Sequence, residues 1–169
     1  MRFAMGIDYD GANYRGWQTQ QEGVPSVQLT VEQALSQIAN HPINVHAAGR
    51  TDAGVHASGM IVHFDTDAIR GHRNWLLGAN RLLPNDIAVR WIHPVSDDFH
   101  ARFKAVARRY RFVIFNSPLR SSMLAGKVTW HYHHLDVERM KLAAQYLVGV
   151  HDFTSFRAVG CQARNPVRD

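Results

Sequence analysis

The stretch INVHAAGRTDAGVHASGMIVHF, residues 43–64, contains two apolar segments on either side of a glycine-containing loop. Its two ends, 43–48 and 60–64, are predicted to be strands that enter and leave a loop at 49–57. Two glycines in that loop permit backbone conformations that are closed to residues with a Cβ, and they leave room for a large ligand. The stretch therefore predicts a rigid strand pair that presents a short functional loop.

Arg50 and Asp52 lie two residues apart in this loop. The positive guanidinium is expected to keep the neighbouring carboxylate ionised at neutral pH. A carboxylate held on a rigid turn can act as a nucleophile or as a general base. The alternative is an ion pair that only closes a turn, because structural ion pairs of this kind are common.

Hydrophobic periodicity outside the stretch predicts two more strands and two helices. Alternating apolar residues indicate strands at 3–9 and 87–91, and apolar residues on one helical face indicate helices at 27–38 and 72–83. The resulting order, β-α-β-β-α-β, is the split ferredoxin-like (RRM-like) unit of the α+β class, whose open sheet face binds RNA in many proteins. The residues predicted to be buried are Phe3, Met5, Ile7, Tyr9, Val27, Val31, Ala34, Leu35, Ile38, Trp75, Leu76, Ala79, Leu82, Leu83, Ile87, Val89 and Trp91.

A polar break at 94–98 is predicted to be a linker between two domains. The first domain, 1–96, carries the loop 49–57, and 97–169 is the start of a second αβ domain. That second part is predicted to contain strands at 106–115 and 126–133 and a helix capped by Asp136. The helix is expected to bury Val137, Met140, Ala143, Ala144 and Leu147. Since an uncovered sheet edge is unfavourable, we expect the sequence to be the truncated front part of a longer protein.

Composition narrows the class of protein. The 169 residues carry 19 basic and 14 acidic side chains, a net charge of +5, which suits a polyanionic partner. No apolar run approaches the roughly 20 residues of a membrane span, and no signal peptide opens the chain. Cys161 is the single cysteine, so neither a disulfide framework nor a thiolate metal cluster is expected, and the default location is the cytoplasm.

Four blocks of sequence resemble a known family. They are DYDGANYRGWQ at 8–18, GRTDAGVHA at 49–57, FHARF at 99–103 followed by ARRYRF at 107–112, and HDFTSFR at 151–157. In this order they resemble the motifs of the tRNA pseudouridine synthase A family, and the loop 49–57 resembles its catalytic signature. The resemblance implies the pseudouridine synthase fold, in which the second αβ domain continues well past residue 169.

The resemblance also implies a reaction and a partner. Members of the family isomerise uridine to pseudouridine in the anticodon stem-loop, at tRNA positions 38, 39 and 40, and act as homodimers in which one tRNA spans both subunits. A paired uridine must be flipped into a pocket to react. By resemblance Asp52 is the catalytic aspartate and Arg50 is associated with base flipping. The reaction has no redox step, so neither cofactor nor metal is expected.

Tyr110 is the candidate for stacking on the base. Along a strand at 106–115 it would share a face with Arg108, while Arg109 would point the other way. An aromatic ring between arginines suits a base held near phosphates, so Arg108 and Arg109 are predicted to bind substrate. By resemblance Tyr110 is the active-site tyrosine of the family; the alternative is a tyrosine of the core.

Other readings of the same residues stay open. A non-catalytic RNA-binding module would use the sheet face and the basic segment but not Asp52. A metal-dependent hydrolase would use His131 and His133, although metal-binding histidines need supporting partners. Three pairs of residues remain. Tyr14 and Trp17 either anchor a loop or touch RNA, His56 and His63 are expected to be packed or hydrogen-bonded, and Phe153 and Phe156 are expected to be buried.

The family's later half is expected to supply two further site residues. They are a basic partner for the catalytic aspartate and an apolar residue beneath the base, and neither has a counterpart in the present sequence. The chain alone is therefore expected to lack part of the RNA cleft.

Overall fold

The computed structural model describes residues 1–157 and 165–168, so Cys161 lies outside the described residues. The chain divides into two compact units. The first unit comprises Met1–Phe112 and Leu124–Lys127, and the second comprises Val113–Met123 and Val128–Asp169. Each unit is described by itself.

The first unit is a four-stranded antiparallel sheet with two helices. Its elements in chain order are β1 (Arg2–Tyr9), α1 (Val27–Ala39), β2 (Val45–Ala47), β3 (Ala57–Asp65), α2 (His72–Leu82) and β4 (Ile87–Val95). A short 3-10 helix, Gly11–Asn13, follows β1. The strands lie in the order β2-β3-β1-β4, and each neighbouring pair is antiparallel. The mixed α and β composition and the predicted order of elements up to residue 95 are thus confirmed.

The core of this unit lies between the helices and one face of the sheet. Phe3, Met5, Ile7 and Tyr9 alternate along β1 and are all buried, as predicted. Ser26 caps α1 by accepting a hydrogen bond from the N–H of Leu29, which fixes the start of the helix. The other buried residues that the periodicity predicts are Val27, Val31, Ala34, Leu35, Trp75, Ala79, Leu83, Ile87 and Val89, while Ile38 and Leu76 are partly buried against them.

Two residues predicted to be in the core are not. In the β1–β4 pair Ile7 faces Val89 and Gly6 faces Trp91, so Arg90 is an extra residue in β4. Such a bulge reverses the alternation beyond it, and Ile92 is buried instead of Trp91. Leu82, the last residue of α2, is 43% exposed, because the next residue in the chain takes the buried position.

The second face of the sheet is partly covered by residues 99–103. The Arg2 guanidinium donates to the carbonyl of Phe99 (2.8 Å), and the N–H of Ala101, which is buried, donates to Nδ1 of His63 (3.2 Å). Strand β4 runs to Val95, into the segment 94–98 that is predicted to be a linker. Residues 97–112 belong to the first compact unit rather than to the second, because these contacts attach the segment to the sheet.

His63 makes the stability of this unit sensitive to acid. Its ring is buried, and burial is the largest of the effects that together lower the pKa of His63 to about 4. The smaller effects are, in order, the charges of His100, His46 and Arg2, which also lower the pKa, and that of Asp65, which raises it. The prediction that His63 is a packed, hydrogen-bonded histidine is confirmed.

We expect the free energy of unfolding to fall as the pH drops from about 6.5 to about 4. The unfolded chain binds a proton at His63 in this range and the folded chain does not. The free energy of unfolding should therefore fall by about 1.4 kcal/mol per pH unit, a total loss of about 3 kcal/mol. Urea titrations at several pH values measure this slope. The variant His63→Asn should start from a lower stability and show a shallower slope; an unchanged slope would contradict the assignment.

The second unit contains two small sheets and one helix. Strands β5 (Ile114–Asn116) and β6 (Thr129–His131) pair in parallel, and β7 (His151–Asp152) pairs antiparallel with β8 (Val167–Arg168). Helix α3 (Val137–Ala144) begins as predicted, with Asp136 accepting from the N–H of Arg139 (3.0 Å). None of the described helices is long and apolar enough to cross a membrane.

Three predictions for this region are wrong. The predicted strand at 106–115 forms only at its last two residues, since residues 106–112 pair with no strand in the described structure. The carbonyl of Val113 accepts from the N–H of Thr129 in β6 (2.9 Å), just before β5 begins. The strand at 126–133 is shortened to 129–131. No residue of α3 is buried, because the described part of this unit offers two small two-stranded sheets and no apolar layer against which the helix could pack.

Candidate active site

The loop that carries Asp52 is a continuation of the β2–β3 pair. The N–H of Ala48 still donates to Ile61 (2.8 Å), so the pairing extends one residue past β2. A tight turn follows, in which the N–H of Val55 donates to the carbonyl of Asp52 (3.2 Å). Gly54 occupies the third position of this turn at φ 77°, where a side chain would be strained. Asp52 therefore lies on a defined turn, and it is exposed.

The end of β1 and the segment that follows it are hydrogen-bonded to the loop. The hydroxyl of Tyr9 is hydrogen-bonded to that of Thr51 (2.9 Å), and the N–H of Trp17 donates to the carbonyl of Thr51 (3.0 Å). The N–H of Gly54 donates to the carbonyl of Tyr14 (3.2 Å). These bonds hold the two residues on either side of Asp52–Ala53 and leave the Asp52 side chain outside.

Tyr14 and Trp17 are structural residues. Tyr14 is 7% exposed and Trp17 is 3% exposed, so neither ring is available to RNA. The Tyr14 hydroxyl donates to Asp86 (2.8 Å), and burial together with this carboxylate raises the pKa of Tyr14. Of the two readings that the sequence left open, the structure favours loop anchors.

Close backbone contacts lock the two loops together. Gly16 adopts φ 99°, and a Cβ there would lie 2.6 Å from the carbonyl oxygen of Thr51. A Cβ on Gly11 would lie 2.1 Å from the carbonyl oxygen of Val55. Only glycine fits at either position, so the resembling block at 8–18 and the loop at 49–57 form one structural piece.

Arg50 and Asp52 do not form the ion pair that would merely close a turn. Both side chains are exposed, and neither makes a hydrogen bond or an ion pair with another described residue. The alternative in which the pair only closes the loop is therefore not observed. Both groups are left facing solvent, where a ligand can reach them.

Arg108 lies against the loop, but its side chain is engaged by the backbone. Its Nε and Nη2 donate to the carbonyl of Ala48 (2.9 and 2.6 Å), and Nη2 also reaches the carbonyl of Arg102 (3.3 Å). A Cβ on Gly49 would be 3.5 Å from the Arg108 Nε. Arg108 therefore holds the upstream end of the loop, a role that the sequence did not predict.

Tyr110 is 74% exposed, so the alternative of a core tyrosine is wrong. Its phenol is close enough to Tyr9 to raise the pKa of that residue, whose largest shift comes from burial. Tyr9 in turn contacts Thr51, the neighbour of Asp52. The strand that was predicted to place Tyr110 and Arg108 on one face and Arg109 on the other does not form at these residues. All three residues lie in the first unit.

Sequence reasoning missed a charged cluster at the other end of the loop. Asp10 contacts both His56 (2.9 Å) and Lys127 (3.0 Å). His56 is hydrogen-bonded, as predicted, but no signal in the sequence connects Asp10 with a lysine 117 positions away.

Two further assignments in the second unit are not supported. The rings of His131 and His133 are 6.1 Å apart, yet no group of three or more His, Cys, Asp or Glu side chains able to hold a metal ion occurs among the described residues. Phe156 is 74% exposed and Phe153 is only half-buried, so these two are not buried anchors.

The first unit thus presents an exposed carboxylate on a rigid turn, with a guanidinium two residues away. A carboxylate so placed can attack an electrophilic carbon or remove a proton, and planar groups such as Arg50 and Tyr110 can stack on a base. Residues 5–104 match the sequence profile of the tRNA pseudouridine synthases, and the chain belongs to this family.

Curated relatives named tRNA pseudouridine synthase A are similar to nearly the whole chain. The protein from Acinetobacter baylyi is 57% identical over 167 residues, 99% of this chain and 62% of the relative. The protein from Alcanivorax borkumensis is 55% identical over 167 residues, which again cover 99% of this chain and 62% of the relative. A protein from Acinetobacter baumannii is 56% identical over 167 residues. The chain spans just over three fifths of the length of these relatives.

Proposed function

We propose that the full-length protein containing this chain is a tRNA pseudouridine synthase, an isomerase that converts uridine to pseudouridine within tRNA. The observation that carries the proposal is the exposed Asp52 carboxylate, held on a turn in a chain that belongs to this family. The target uridines are those of the anticodon stem-loop, at tRNA positions 38, 39 and 40.

The reaction sets three requirements for the site. The N1–C1′ bond breaks, the base turns, a C5–C1′ bond forms, and the proton on C5 leaves for solvent while N1 gains one. No electrons or phosphoryl groups are transferred, so the chemistry demands no cofactor or metal. A uridine in a stacked stem must first be extruded, and the extruded nucleotide needs a carboxylate, a stacking partner and positive charge nearby.

The side chains around the loop fit these requirements. Asp52 supplies the carboxylate, Arg50 fills the space left by the extruded base, and Tyr110 stacks on the uracil. Arg109 binds backbone phosphate. Arg108 retains Nη1 for a phosphate while its other nitrogens hold Ala48.

The finer features of the architecture belong to the same proposal. The strand order β2-β3-β1-β4 supports a ferredoxin-like arrangement for the first domain, 1–96. Residues 97–169 are the start of the second domain along the chain, although 97–112 pack with the first compact unit. The protein acts as a homodimer on tRNA in the cytoplasm. The net charge of +5 supports a polyanionic partner.

Arg109→Ala in the full-length protein should weaken tRNA binding and reduce its dependence on salt. Loss of one phosphate contact is expected to lower the slope of log Kd against log salt by about 1. Filter binding at several salt concentrations measures it. Arg81→Ala, on helix α2, is the matched control and should leave the slope unchanged; equal slopes for both variants would contradict the role of Arg109.

Release of tritium from tRNA labelled at C5 of uridine tests the function itself. The full-length protein should release tritium only from the uridines at tRNA positions 38, 39 and 40, without added metal or cofactor. A non-catalytic RNA-binding module would bind the same tRNA and release none, and that result would refute the proposal.

A further inference from the structure

Three side chains from distant parts of the chain meet at the downstream end of the Asp52 loop. The Asp10 carboxylate contacts Nζ of Lys127 through Oδ2 (3.0 Å) and Nδ1 of His56 through Oδ1 (2.9 Å). Nε2 of His56 lies 2.8 Å from the carbonyl oxygen of Gly126, the residue before Lys127. The contacts form a closed ring within the first unit, and we call Asp10, His56 and Lys127 the Asp10 cluster.

His56 is held through both ring nitrogens. Because a carbonyl oxygen only accepts, Nε2 carries the hydrogen that bonds to Gly126. Nδ1 faces both the N–H of Gly11 (3.1 Å) and the Asp10 carboxylate (2.9 Å). A neutral imidazole accepts from Gly11, and an imidazolium donates to Asp10, so the ring stays fixed in either form.

Asp10 is held in its charged form. The hydrogen bond from Lys127 and then the N–H of Ala12 lower the pKa of Asp10, and the charge of His56 acts in the same direction. The ion pair is nevertheless partly in solvent, with the side chain of Lys127 59% exposed and that of Asp10 34% exposed. Exposed pairs of this kind contribute little to global stability. The cluster is therefore better suited to fixing a local geometry than to supporting the fold.

Two other parts of the same loop are also held by hydrogen bonds. Arg108 holds the upstream end at Ala48, and Trp17 holds the middle at Thr51. The Asp10 cluster holds the downstream end, four residues after Asp52. We propose that Asp10, His56 and Lys127 are positioning residues that keep the Asp52 carboxylate in place for the reaction. This inference rests on the proposed function, because it concerns the same site.

Lys127→Met tests the proposal, since it removes the charge and nearly keeps the length of the side chain. Lys127→Arg, which can still pair with Asp10, is the conservative variant expected to rescue. Lys141→Met is the matched control, because Lys141 forms a similarly exposed pair with Glu138 (2.8 Å) on helix α3. A displacement of about 1 Å can slow a reaction roughly 100-fold, so we expect kcat to fall at least tenfold in Lys127→Met only.

Two readouts separate positioning from the other roles of a lysine. In the full-length protein, kcat should fall while the Kd for tRNA and its salt dependence stay unchanged; a weaker Kd with a smaller salt slope would make Lys127 a phosphate contact and overturn the proposal. In the present chain, amide hydrogen exchange of the segment 48–57 should rise several-fold, with helix α1 unaffected. Unchanged exchange would also overturn it.

The exchange measurement does not depend on turnover. If the wild-type protein released no tritium, the proposed function would fail, and exchange in 48–57 would still decide whether the Asp10 cluster fixes the loop. If Lys127→Met did not fold, His56→Gln provides the same comparison, because it removes the ring that links Gly126 to Asp10. Raised exchange at 48–57 in that variant supports the proposal, and unchanged exchange refutes it.

Discussion

Replacing Asp52 with asparagine in the full-length protein is expected to abolish tritium release from uridine while tRNA still binds within a few-fold of the wild type. Asparagine keeps the size of the side chain and removes its charge, so it can neither attack carbon nor take up a proton as a carboxylate does. Losing such a group costs on the order of 10³-fold or more in kcat. Binding should survive, because most RNA affinity comes from phosphate contacts elsewhere.

The control for this substitution is Asp67→Asn. Asp67 is also exposed, but it follows β3, at the opposite end of that strand from the Asp52 loop. The Asp67→Asn variant should release tritium at the wild-type rate. Release by Asp52→Asn within tenfold of the wild type would rule out Asp52 as the catalytic carboxylate, whatever the affinity for tRNA.

Gly16→Ala is expected to destabilise the chain far more than Gly23→Ala. Both glycines have positive φ, 99° and 82°, so each substitution costs about 1 kcal/mol in backbone conformation. The Cβ at position 23 would meet no atom within 4 Å, whereas at position 16 it would lie 2.6 Å from the Thr51 carbonyl oxygen. Relieving that overlap adds about 1–3 kcal/mol.

Urea titration of the two variants measures the difference in the free energy of unfolding. Gly16→Ala should also reduce turnover of the full-length protein, because the overlap is relieved by moving the backbone at Thr51, next to Asp52. Gly23→Ala should leave turnover intact. Equal losses of stability in the two variants would show that the contact between the loops at 16 and 51 is not tight.

Periodicity was sufficient to predict the first unit because the large apolar residues of each element lie on one face. Phe3 to Tyr9 and Val27 to Leu35 follow the periods of a strand and a helix, and both predictions are confirmed. The same periodicity wrongly predicted that Trp91 is buried. A single extra residue in β4 reverses the alternation, and a bulge depends on the partner strand rather than on the residues beside it.

Residues 106–112 show the opposite failure. They have the composition of a strand, but a strand exists only where a neighbour takes its hydrogen bonds, and no strand is paired with these residues in the described structure. Helix α3 is similar, because its apolar stripe predicts burial only if an apolar layer faces it.

The candidate site could be predicted only in part. Asp52 and Arg50 were accessible because they are close in sequence and lie in a recognisable motif. The bond from Arg108 to Ala48 and the link from Lys127 to Asp10 join residues 60 and 117 positions apart. A single sequence contains no signal for such pairings, since charged residues have many possible partners until the fold brings two of them together.

We propose that the loop at 49–57 presents Asp52 to an extruded uridine. A structure of the full-length Asp52→Asn variant bound to tRNA tests this placement. We expect a uridine from the anticodon stem-loop turned out of its stack, with its reacting atoms about 3–3.5 Å from the side chain at position 52. A uridine that stays stacked in the stem, or that is bound against a different carboxylate, would contradict it.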